Sequence, residues 1–192
     1  RNRAGTNLYA SSILALDADT GKLRWYYQMV PHDNWDFDAD SEMMLIDREV
    51  GGRMRKLVVH FNKGGFAFVL DRQTGEFLKA YPFIESFNWV KGIGEKGELV
   101  GRNDPAYGTG KNSLICPSNV GAKSWNQGAY SPRTGWIYSP ALEMCNDLVI
   151  RGPSGAGDRG GGTWIMKPPP GHDTAYSHLD AYDPVTGKKQ WS

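Results

Sequence analysis

One motif recurs along the chain and constrains its fold more than any other feature. Residues 15–25 read ALDADTGKLRW and residues 181–191 read AYDPVTGKKQW, so both fit the pattern A-x-D-x-x-T-G-K-x-x-W. Shorter copies at 69–79 (VLDRQTGEFLK) and 129–139 (AYSPRTGWIYS) keep the Thr-Gly pair. The glycines of these pairs are residues 21, 75, 135 and 187, at intervals of 54, 60 and 52. Such a period is typical of repeats stacked side by side.

Each copy has the composition of a turn between two β-strands. The side chain of Asp17 can accept hydrogen bonds from the turn backbone, and Gly21 can adopt a positive φ. The next strand then places Trp25 in a packing layer. No long window shows apolar residues at a 3.6-residue period, so few helices are expected. Eight stretches read as strands: SSILALD, KLRWYYQ, EMMLID, RKLVVHF, GFAFVLD, EFLKAYPF, WIYSPAL and HLDAYD.

These features predict an all-β fold, a β-propeller with about three to four blades' worth of chain. Residues 1–192 are expected to form one partial propeller domain, because propellers usually have more blades. The chain starts without methionine and stops where a strand begins, which suggests an internal piece of a longer protein. The stretches 91–113 and 151–173 read as loops, and the second is expected to be a long surface excursion.

Composition excludes some classes of function. The chain has 22 basic and 21 acidic residues, so it carries no basic surface suited to nucleic acid or an anionic membrane. No apolar run approaches the roughly 18 residues of a transmembrane helix. Two cysteines, Cys116 and Cys145, permit either one disulfide or two buried thiols.

Four more motifs follow one another in order: PHDNWDFD, NKGGFAFVLDRQTGE, ICPSNVGAKSWNQGAYSPRTGWIY and EMC. With the repeat, they resemble the core of the alcohol dehydrogenases that depend on pyrroloquinoline quinone (PQQ), which include methanol dehydrogenase large subunits. The resemblance covers almost the whole chain. It implies an eight-bladed propeller and a periplasmic enzyme that oxidises primary alcohols to aldehydes. It also implies PQQ beside one metal ion, a cytochrome c or similar electron acceptor, and possible homo-oligomers of the full-length protein.

The resemblance assigns the acidic motif to the metal and the proton transfer. Asp36 aligns with the catalytic base, a carboxylate beside the metal ion; a solvated loop aspartate is the alternative. Asp38 would share a face with Asp36 if the chain were extended. A second carboxylate suits a trivalent ion, so Asp38 favours a lanthanide over Ca²⁺. Two alternatives are a calcium site that tolerates Asp38 and an Asp38 turned to solvent.

The resemblance assigns three further residues to the cofactor. Lys63 aligns with the basic residue that contacts the quinone oxygens, and Gly64 and Gly65 beside it would permit close approach of a ligand. Asn126 aligns with an asparagine that reaches PQQ, and Trp125 would line the same pocket. For Trp125, and for the tryptophan of the Asn88–Trp89 pair, propeller packing is the alternative.

The remaining expectations concern supporting residues. Cys116 and Cys145 occupy the family's paired positions, and an oxidising periplasm favours a disulfide between them. Asp33 and Asp40 are expected to be solvated, and His32 is given no role. The family's other metal ligands and the tryptophan that stacks under PQQ are expected upstream of residue 1. The isolated chain should therefore neither bind PQQ tightly nor turn over.

Two competing functions share these repeats. One is a non-catalytic propeller scaffold, and the other is a quinoprotein dehydrogenase that acts on sugars or polyols. Asp36, Lys63 and Asn126 at matching intervals favour the alcohol dehydrogenase, because a scaffold does not need them.

Overall fold

A computed structural model describes residues 4–155 and 160–192. Within these residues the chain forms strands, turns and loops, and no helix. The strands are β1 (Ser12–Leu16), β2 (Leu23–Gln28), β3 (Met44–Val50), β4 (Arg53–Phe61), β5 (Phe66–Asp71), β6 (Phe77–Pro82), β7 (Gly92–Ile93), β8 (Leu99–Val100), β9 (Thr109–Ile115), β10 (Ala129–Ser131), β11 (Trp136–Glu143), β12 (Cys145–Arg151), β13 (Gly161–Lys167), β14 (Tyr176–Tyr182) and β15 (Lys189–Trp191). All eight stretches predicted as strands are found. No helix in this part of the chain is long and apolar enough to cross a membrane.

Two of the sheets have the four antiparallel strands of a propeller blade. The first has the order β3-β4-β5-β6 and the second the order β10-β11-β14-β15. Before them comes the hairpin β1–β2, and a three-stranded sheet, β13-β12-β9, is inserted into the second blade. The hairpin β7–β8 lies between the two blades in sequence. The predicted all-β, partial-propeller architecture is confirmed.

All four Thr-Gly copies are hairpin turns, as predicted, but they do not all mark separate blades. The turn at residues 131–135 joins β10 to β11, and the turn at 183–187 joins β14 to β15, so both belong to one sheet. The equivalent turns of the two blades, at Gly75 and Gly187, are therefore 112 residues apart (187 − 75). The interval is long because β12 and β13 are inserted between β11 and β14.

The last position of the repeat, Trp25 or Lys79, contacts a turn of the next blade. The indole nitrogen of Trp25 donates to the carbonyl of Arg72 at 3.1 Å, and its ring covers Gly75. A Cβ at Gly75 would lie 2.8 Å from that ring, so the glycine makes room for it. One blade later, Lys79 replaces the tryptophan and donates to the carbonyl of Thr186 at 2.7 Å.

The core lies on both faces of the first blade. Strand β5 is buried along its whole length because each face is covered. One face packs towards the second blade, with Val69 beside Ile137 and Tyr182 of that blade in one apolar cluster. The other face carries Phe68 into a second cluster, which contains Trp89 and residues of the acidic motif.

The two stretches read as loops contain regular structure. Hairpin β7–β8 and the start of β9 fall within 91–113, and β13 falls within 151–173. Prediction of a loop was wrong for these parts, because pairing with β12 holds the glycine-rich start of β13 in a sheet. Residues 156–159 of the second stretch lie outside the described residues.

Candidate active site

The acidic motif forms a folded loop, here called the acid loop (residues 33–42). Asp33 organises its start: its carboxylate accepts hydrogen bonds from the backbone nitrogens of Trp35 at 2.9 Å and Phe37 at 2.7 Å. Asp36 has a φ of +71°, in the left-handed region. The expectation that Asp36 and Asp38 share one face of an extended chain was therefore wrong, because the segment is not a strand.

Asp36 and Asp38 nevertheless converge on one cation. The ammonium of Lys63 lies 3.8 Å from Asp36 Oδ2 and 3.1 Å from Asp38 Oδ2. The Lys63 side chain is only 7% exposed, whereas the Asp36 and Asp38 side chains are 54% and 61% exposed. A buried ammonium thus supports two carboxylates that remain open to a ligand.

The side chain of Lys63 passes over Gly121, where the absence of a Cβ leaves room for it. Its stem packs over Gly121, where an added Cβ would lie 2.6 Å from Lys63 Cγ. Gly121 also has a φ of +92°, which side chains rarely adopt. The backbone nitrogen of Ala122 donates to the carbonyl of Lys63 at 2.8 Å. The segment after the disulfide cysteine thereby fixes the direction of Lys63.

The electrostatics of the site favour an added cation. Burial raises the pKa of the Asp36 carboxyl, and the charges of Asp38 and Asp40 raise it further, against the opposing effects of Lys63 and Asn119. The single positive charge of Lys63 does not balance the negative charges of the Asp36, Asp38 and Asp40 carboxylates. Asn119 Oδ1 is buried without a hydrogen-bond partner in the described ranges. Carboxylate and amide oxygens are ligands that suit Ca²⁺ and ions of similar size and character.

The chain supplies only part of such a metal site. In residues 4–155 and 160–192, no group of three or more His, Cys, Asp or Glu is arranged to hold a metal ion. The two open carboxylates fit a hard metal ion as partial ligands. The expectation that the family's other metal ligands lie upstream of residue 1 stays a prediction.

The end of the acid loop is tied to residues 118–128 by polar contacts. Ser124 Oγ donates to Asp40 Oδ2 at 2.9 Å, so Asp40 is not simply solvated as expected. Glu42 accepts from Lys123 Nζ at 2.7 Å and from the backbone nitrogen of Gly128 at 2.9 Å. Although burial opposes ionisation, the hydrogen bond from Lys123 helps to lower the pKa of Glu42. The ion pair of Glu42 and Lys123 is here called the anchor of the acid loop. It could not be predicted from the sequence, because the two residues are 81 positions apart.

Arg102 makes a second contact that holds the acid loop, and this contact was also not predicted. The residue lies in the stretch 91–113, which was read as a loop. Arg102 donates to the carbonyls of Pro31 and His32, and its guanidinium lies 4.4 Å from the centre of the Trp35 ring. Its charge is balanced by Asp104 at 2.7 Å. Arg102 thus holds the entrance of the acid loop. An Arg-x-Asp triplet offers no signal that would reveal this contact from the sequence.

A cavity of about 490 Å³ opens beside the two carboxylates. Asp36 and Asp38 lie on its lining together with Asp33 and Asn34 of the same loop. Ala10 and Ser11, which precede β1, also line it. Three large side chains from the inserted sheet and the segment before it make up the rest: Tyr107, Ile150 and Trp164.

Asn126 and Trp125 are not brought into this cavity. Asn126 lines a different cavity of about 260 Å³, which also includes Lys123 and Ser124. Trp125 is 73% exposed, so it does not pack within the described residues. Within the described chain, Lys63 links the two regions: its stem touches Gly121 and its ammonium faces the acid loop.

Trp89, by contrast, is a packing residue. It is fully buried between the rings of Trp35 and Phe37, and its indole nitrogen donates to the carbonyl of Gly64 at 2.8 Å. A Cβ at Gly64 would lie 2.7 Å from the Trp89 ring. The side chain of Ile84 similarly occupies the space over Gly65. These two glycines therefore admit the chain's own side chains, and the expected close approach of a ligand is not needed to explain them.

Cys116 and Cys145 form a disulfide, as the resemblance implied, with their Cα atoms 4.4 Å apart. Cys116 directly follows β9, and Cys145 begins β12. The bond therefore joins two neighbouring strands at the base of the inserted sheet.

Comparison with known proteins identifies the family. Residues 1–85 match the family model described as PQQ glucose/ethanol/alcohol dehydrogenase, beta-propeller domain. The chain is 37% identical to the lanthanide-dependent methanol dehydrogenase of Methylorubrum extorquens, over 100% of this chain and 34% of that protein. A europium-containing methanol dehydrogenase structure superposes with a TM-score of 0.85 and 35% identity, covering 95% of this chain and 32% of that one. The chain belongs to the PQQ-dependent dehydrogenase family.

Other members of this family are similar to the same extent. The quinohemoprotein alcohol dehydrogenase of Comamonas testosteroni is 36% identical over 99% of this chain and 28% of that protein. The chain thus spans about a third of the length of the relatives it matches. Among PQQ-dependent dehydrogenases, it corresponds to a part of the propeller.

Proposed function

We propose that the protein to which this chain contributes oxidises primary alcohols to aldehydes. The observation that carries the proposal is the convergence of Asp36 and Asp38 on the buried ammonium of Lys63, at the edge of an open cavity. Bound PQQ would accept the hydride, and a bound Ca²⁺ or lanthanide ion would supply Lewis-acid polarisation. The family and the donor set both fit this assignment.

The residues of this chain have separate roles in the proposal. An ionised Asp36 takes up the hydroxyl proton of the alcohol at a carboxylate oxygen, which is general-base catalysis. Asp36 and Asp38 together provide anionic oxygens for the metal ion. Lys63 binds the cofactor oxygens and stabilises negative charge there.

Asn126 is proposed as a cofactor contact on the resemblance, with Trp125 beside it. Asn126 and the two carboxylates line different cavities, so a cofactor that meets both must extend from one cavity to the other. The electron acceptor we propose is a cytochrome c or a similar carrier, in the periplasm. No observation favours the scaffold alternative. The sugar dehydrogenase alternative shares the matched family model, whose description includes glucose dehydrogenase, and has no further observation in its favour.

The test uses the full-length protein, loaded with PQQ and either Ca²⁺ or La³⁺ and assayed with a dye-linked panel of alcohols. We expect alcohol oxidation, with La³⁺ preferred because Asp38 adds negative charge at the ion. Asp36→Asn should lower kcat by roughly 10²–10⁴-fold, the usual contribution of a general base. Loaded protein that oxidises no alcohol would overturn the proposal.

A second variant tests the choice of metal separately. Asp38→Ser should weaken binding of La³⁺ more than binding of Ca²⁺, because the lost carboxylate attracts a trivalent ion more strongly. Equal losses for the two ions, measured by titration of the metal-free protein, would remove the lanthanide assignment and leave the alcohol dehydrogenase assignment in place.

A further inference from the structure

The cavity beside Asp36 has an apolar wall that the proposed function does not use. Tyr107 lies just before β9, Ile150 lies on β12 and Trp164 lies on β13, and all three line the same cavity as the acid loop. Both strands belong to the sheet inserted into the second blade. The carboxylates and the apolar wall thus come from different parts of the chain.

The inserted sheet is held firmly at its base. The Cys116–Cys145 disulfide joins the end of β9 to the start of β12. Leu148, three residues further along β12, is only 2% exposed and packs into the cluster that includes Trp35 and Phe37 of the acid loop. The sheet therefore has a defined position relative to the carboxylates.

Trp164 is oriented by its own strand. Its indole ring lies over Gly162, where an added Cβ would be 2.8 Å from the ring. Trp164 pairs across the strands with Leu148, which fixes its register against the buried part of β12. Its side chain remains 42% exposed, so apolar surface is available to a bound molecule. The neighbouring Ile165 does not line the cavity.

The cavity therefore combines charged side chains of the acid loop with apolar side chains from other segments. A volume of about 490 Å³ lies within the roughly 300–1,000 Å³ typical of sites for sizeable small molecules. A one-carbon alcohol held at Asp36 offers only a methyl group to these apolar side chains. An alcohol with a longer chain or a ring would bury that group against Trp164, which stabilises by about 25 cal/mol for each Å² of apolar surface removed from water.

We propose that Trp164, with Ile150 and Tyr107, selects alcohols that carry an apolar chain or ring over methanol. This inference rests on the proposed function, since the alcohol hydroxyl must lie at Asp36. It adds the class of substrate, a hydrophobic primary alcohol, and identifies the inserted sheet as the element that recognises it.

The experiment compares kcat/KM for methanol, 1-butanol and 2-phenylethanol in the full-length protein, loaded with PQQ and the more active of Ca²⁺ and La³⁺. The unmodified protein should prefer the two larger alcohols. Trp164→Ala should lower kcat/KM for these by about 10- to 100-fold, the range expected for lost hydrophobic contacts in a substrate pocket. Methanol oxidation should change less than twofold. Trp164→Phe should retain most of the preference, and Ile165→Ala, on the same strand, is the matched control.

Two results would overturn the inference while alcohol oxidation persists: a preference of the unmodified protein for methanol, or an equal loss for all three alcohols in Trp164→Ala. Failure of the unmodified, loaded protein to oxidise any of the three would instead remove the proposed function, and this inference with it. Thermal unfolding of each variant checks the fold. Should Trp164→Ala fail to fold, Ile150→Ala should still lower the preference for the larger alcohols, and an unchanged selectivity in Ile150→Ala would contradict the proposal.

Discussion

Two sets of aspartates in this chain have opposite structural roles. In the Thr-Gly turns, Asp17, Asp71 and Asp183 each accept hydrogen bonds from backbone nitrogens two or three residues further on. In the acid loop, Asp38 meets Lys63 across 25 residues, and Asp40 meets Ser124 across 84. The turn aspartates thus cap a local turn, although Asp183 also accepts a hydrogen bond from Arg48 across 135 residues. Within the acid loop, Asp33 caps its own segment, whereas the contacts of Asp38 and Asp40 depend on the folded propeller.

The two sets also differ in electrostatics. The hydrogen bonds from Thr20 lower the pKa of Asp17, and in Asp183 the bonds from Thr186 outweigh burial, so the pKa is again lowered. Burial and neighbouring acids instead raise the pKa of Asp36. A carboxylate whose bonds are satisfied locally stabilises the fold. A carboxylate with exposed oxygens and like-charged neighbours is available to a metal ion or a substrate.

The largest effect is a loss of activity, expected when the positive charge of Lys63 is removed from beside the acid loop. Lys63→Met keeps much of the stem that packs over Gly121 but removes the charge facing Asp36 and Asp38. Activity of the loaded full-length protein should fall by roughly 10²–10³-fold, as when one electrostatic stabiliser is removed from an active site. The unfolding temperature should change little, because both carboxylates are more than half exposed.

The control for this variant is Lys56→Met, which removes an exposed lysine from β4, the strand that precedes Lys63. It should leave both activity and stability unchanged. Similar activity in Lys63→Met and the unmodified protein would show that the long-range contact has no catalytic consequence.

The second prediction concerns the anchor of the acid loop. Glu42→Gln leaves the ammonium of Lys123, whose side chain is fully buried, without a balancing charge. We expect a loss of about 3 kcal/mol in the free energy of unfolding, typical of a broken buried ion pair. Denaturant unfolding measures it. The double variant Glu42→Gln/Lys123→Met should recover most of the loss, and a double variant as unstable as the single one would contradict the assignment.

The third prediction concerns the pH dependence of the free energy of unfolding. His60 is fully buried beside Ser41 and Glu42 at the anchor of the acid loop, and burial lowers its pKa to about 4. The unfolded chain, with a histidine pKa near 6.5, binds more protons between pH 6.5 and 4, so stability falls as pH falls through this window. The loss attributable to His60 between pH 7 and 5 should be about 2 kcal/mol.

Denaturant unfolding of His60→Phe at both pH values tests this, because the variant removes the titrating group and keeps an aromatic ring. Its loss of stability on acidification should be smaller than that of the unmodified protein. Parallel pH dependence in the two proteins would exclude His60 as the origin.

The smallest effect is expected in the Thr-Gly turns. Asp71→Ala removes the acceptor for the nitrogens of Gln73 and Thr74, and should cost about 1 kcal/mol, as for other local caps. It also removes an ion pair with Arg55, which adds little because Arg55 keeps Glu76 as a partner. Thermal unfolding measures the change. Asp19→Ala, at an exposed turn position, is the control and should change stability by less than about 0.5 kcal/mol. A loss for Asp71→Ala as large as that for Glu42→Gln would erase the distinction between local and long-range carboxylates.

The sequence was sufficient wherever the controlling contacts are local or repeat. Strand alternation, the Asp-Thr-Gly turn chemistry and the docking tryptophan Trp25 depend on neighbours in sequence or on one recurring motif. The four turns and eight strands could therefore be predicted. Strands β9 and β13 could not, because glycine-rich and polar segments are held in a sheet only by pairing with β12.

For the site, the sequence by itself determined which residues are chemically suited: Asp36, Asp38 and Lys63, together with the cysteine pair. Only the tertiary structure decided how they meet. Asp36 and Asp38 converge through a left-handed turn rather than an extended strand, and Lys63 reaches them over Gly121. The physical reason is distance along the chain. Partners such as Glu42 with Lys123, or Asp36 with the wall at Trp164, become neighbours only when separate sheets pack, and no local pattern encodes that packing.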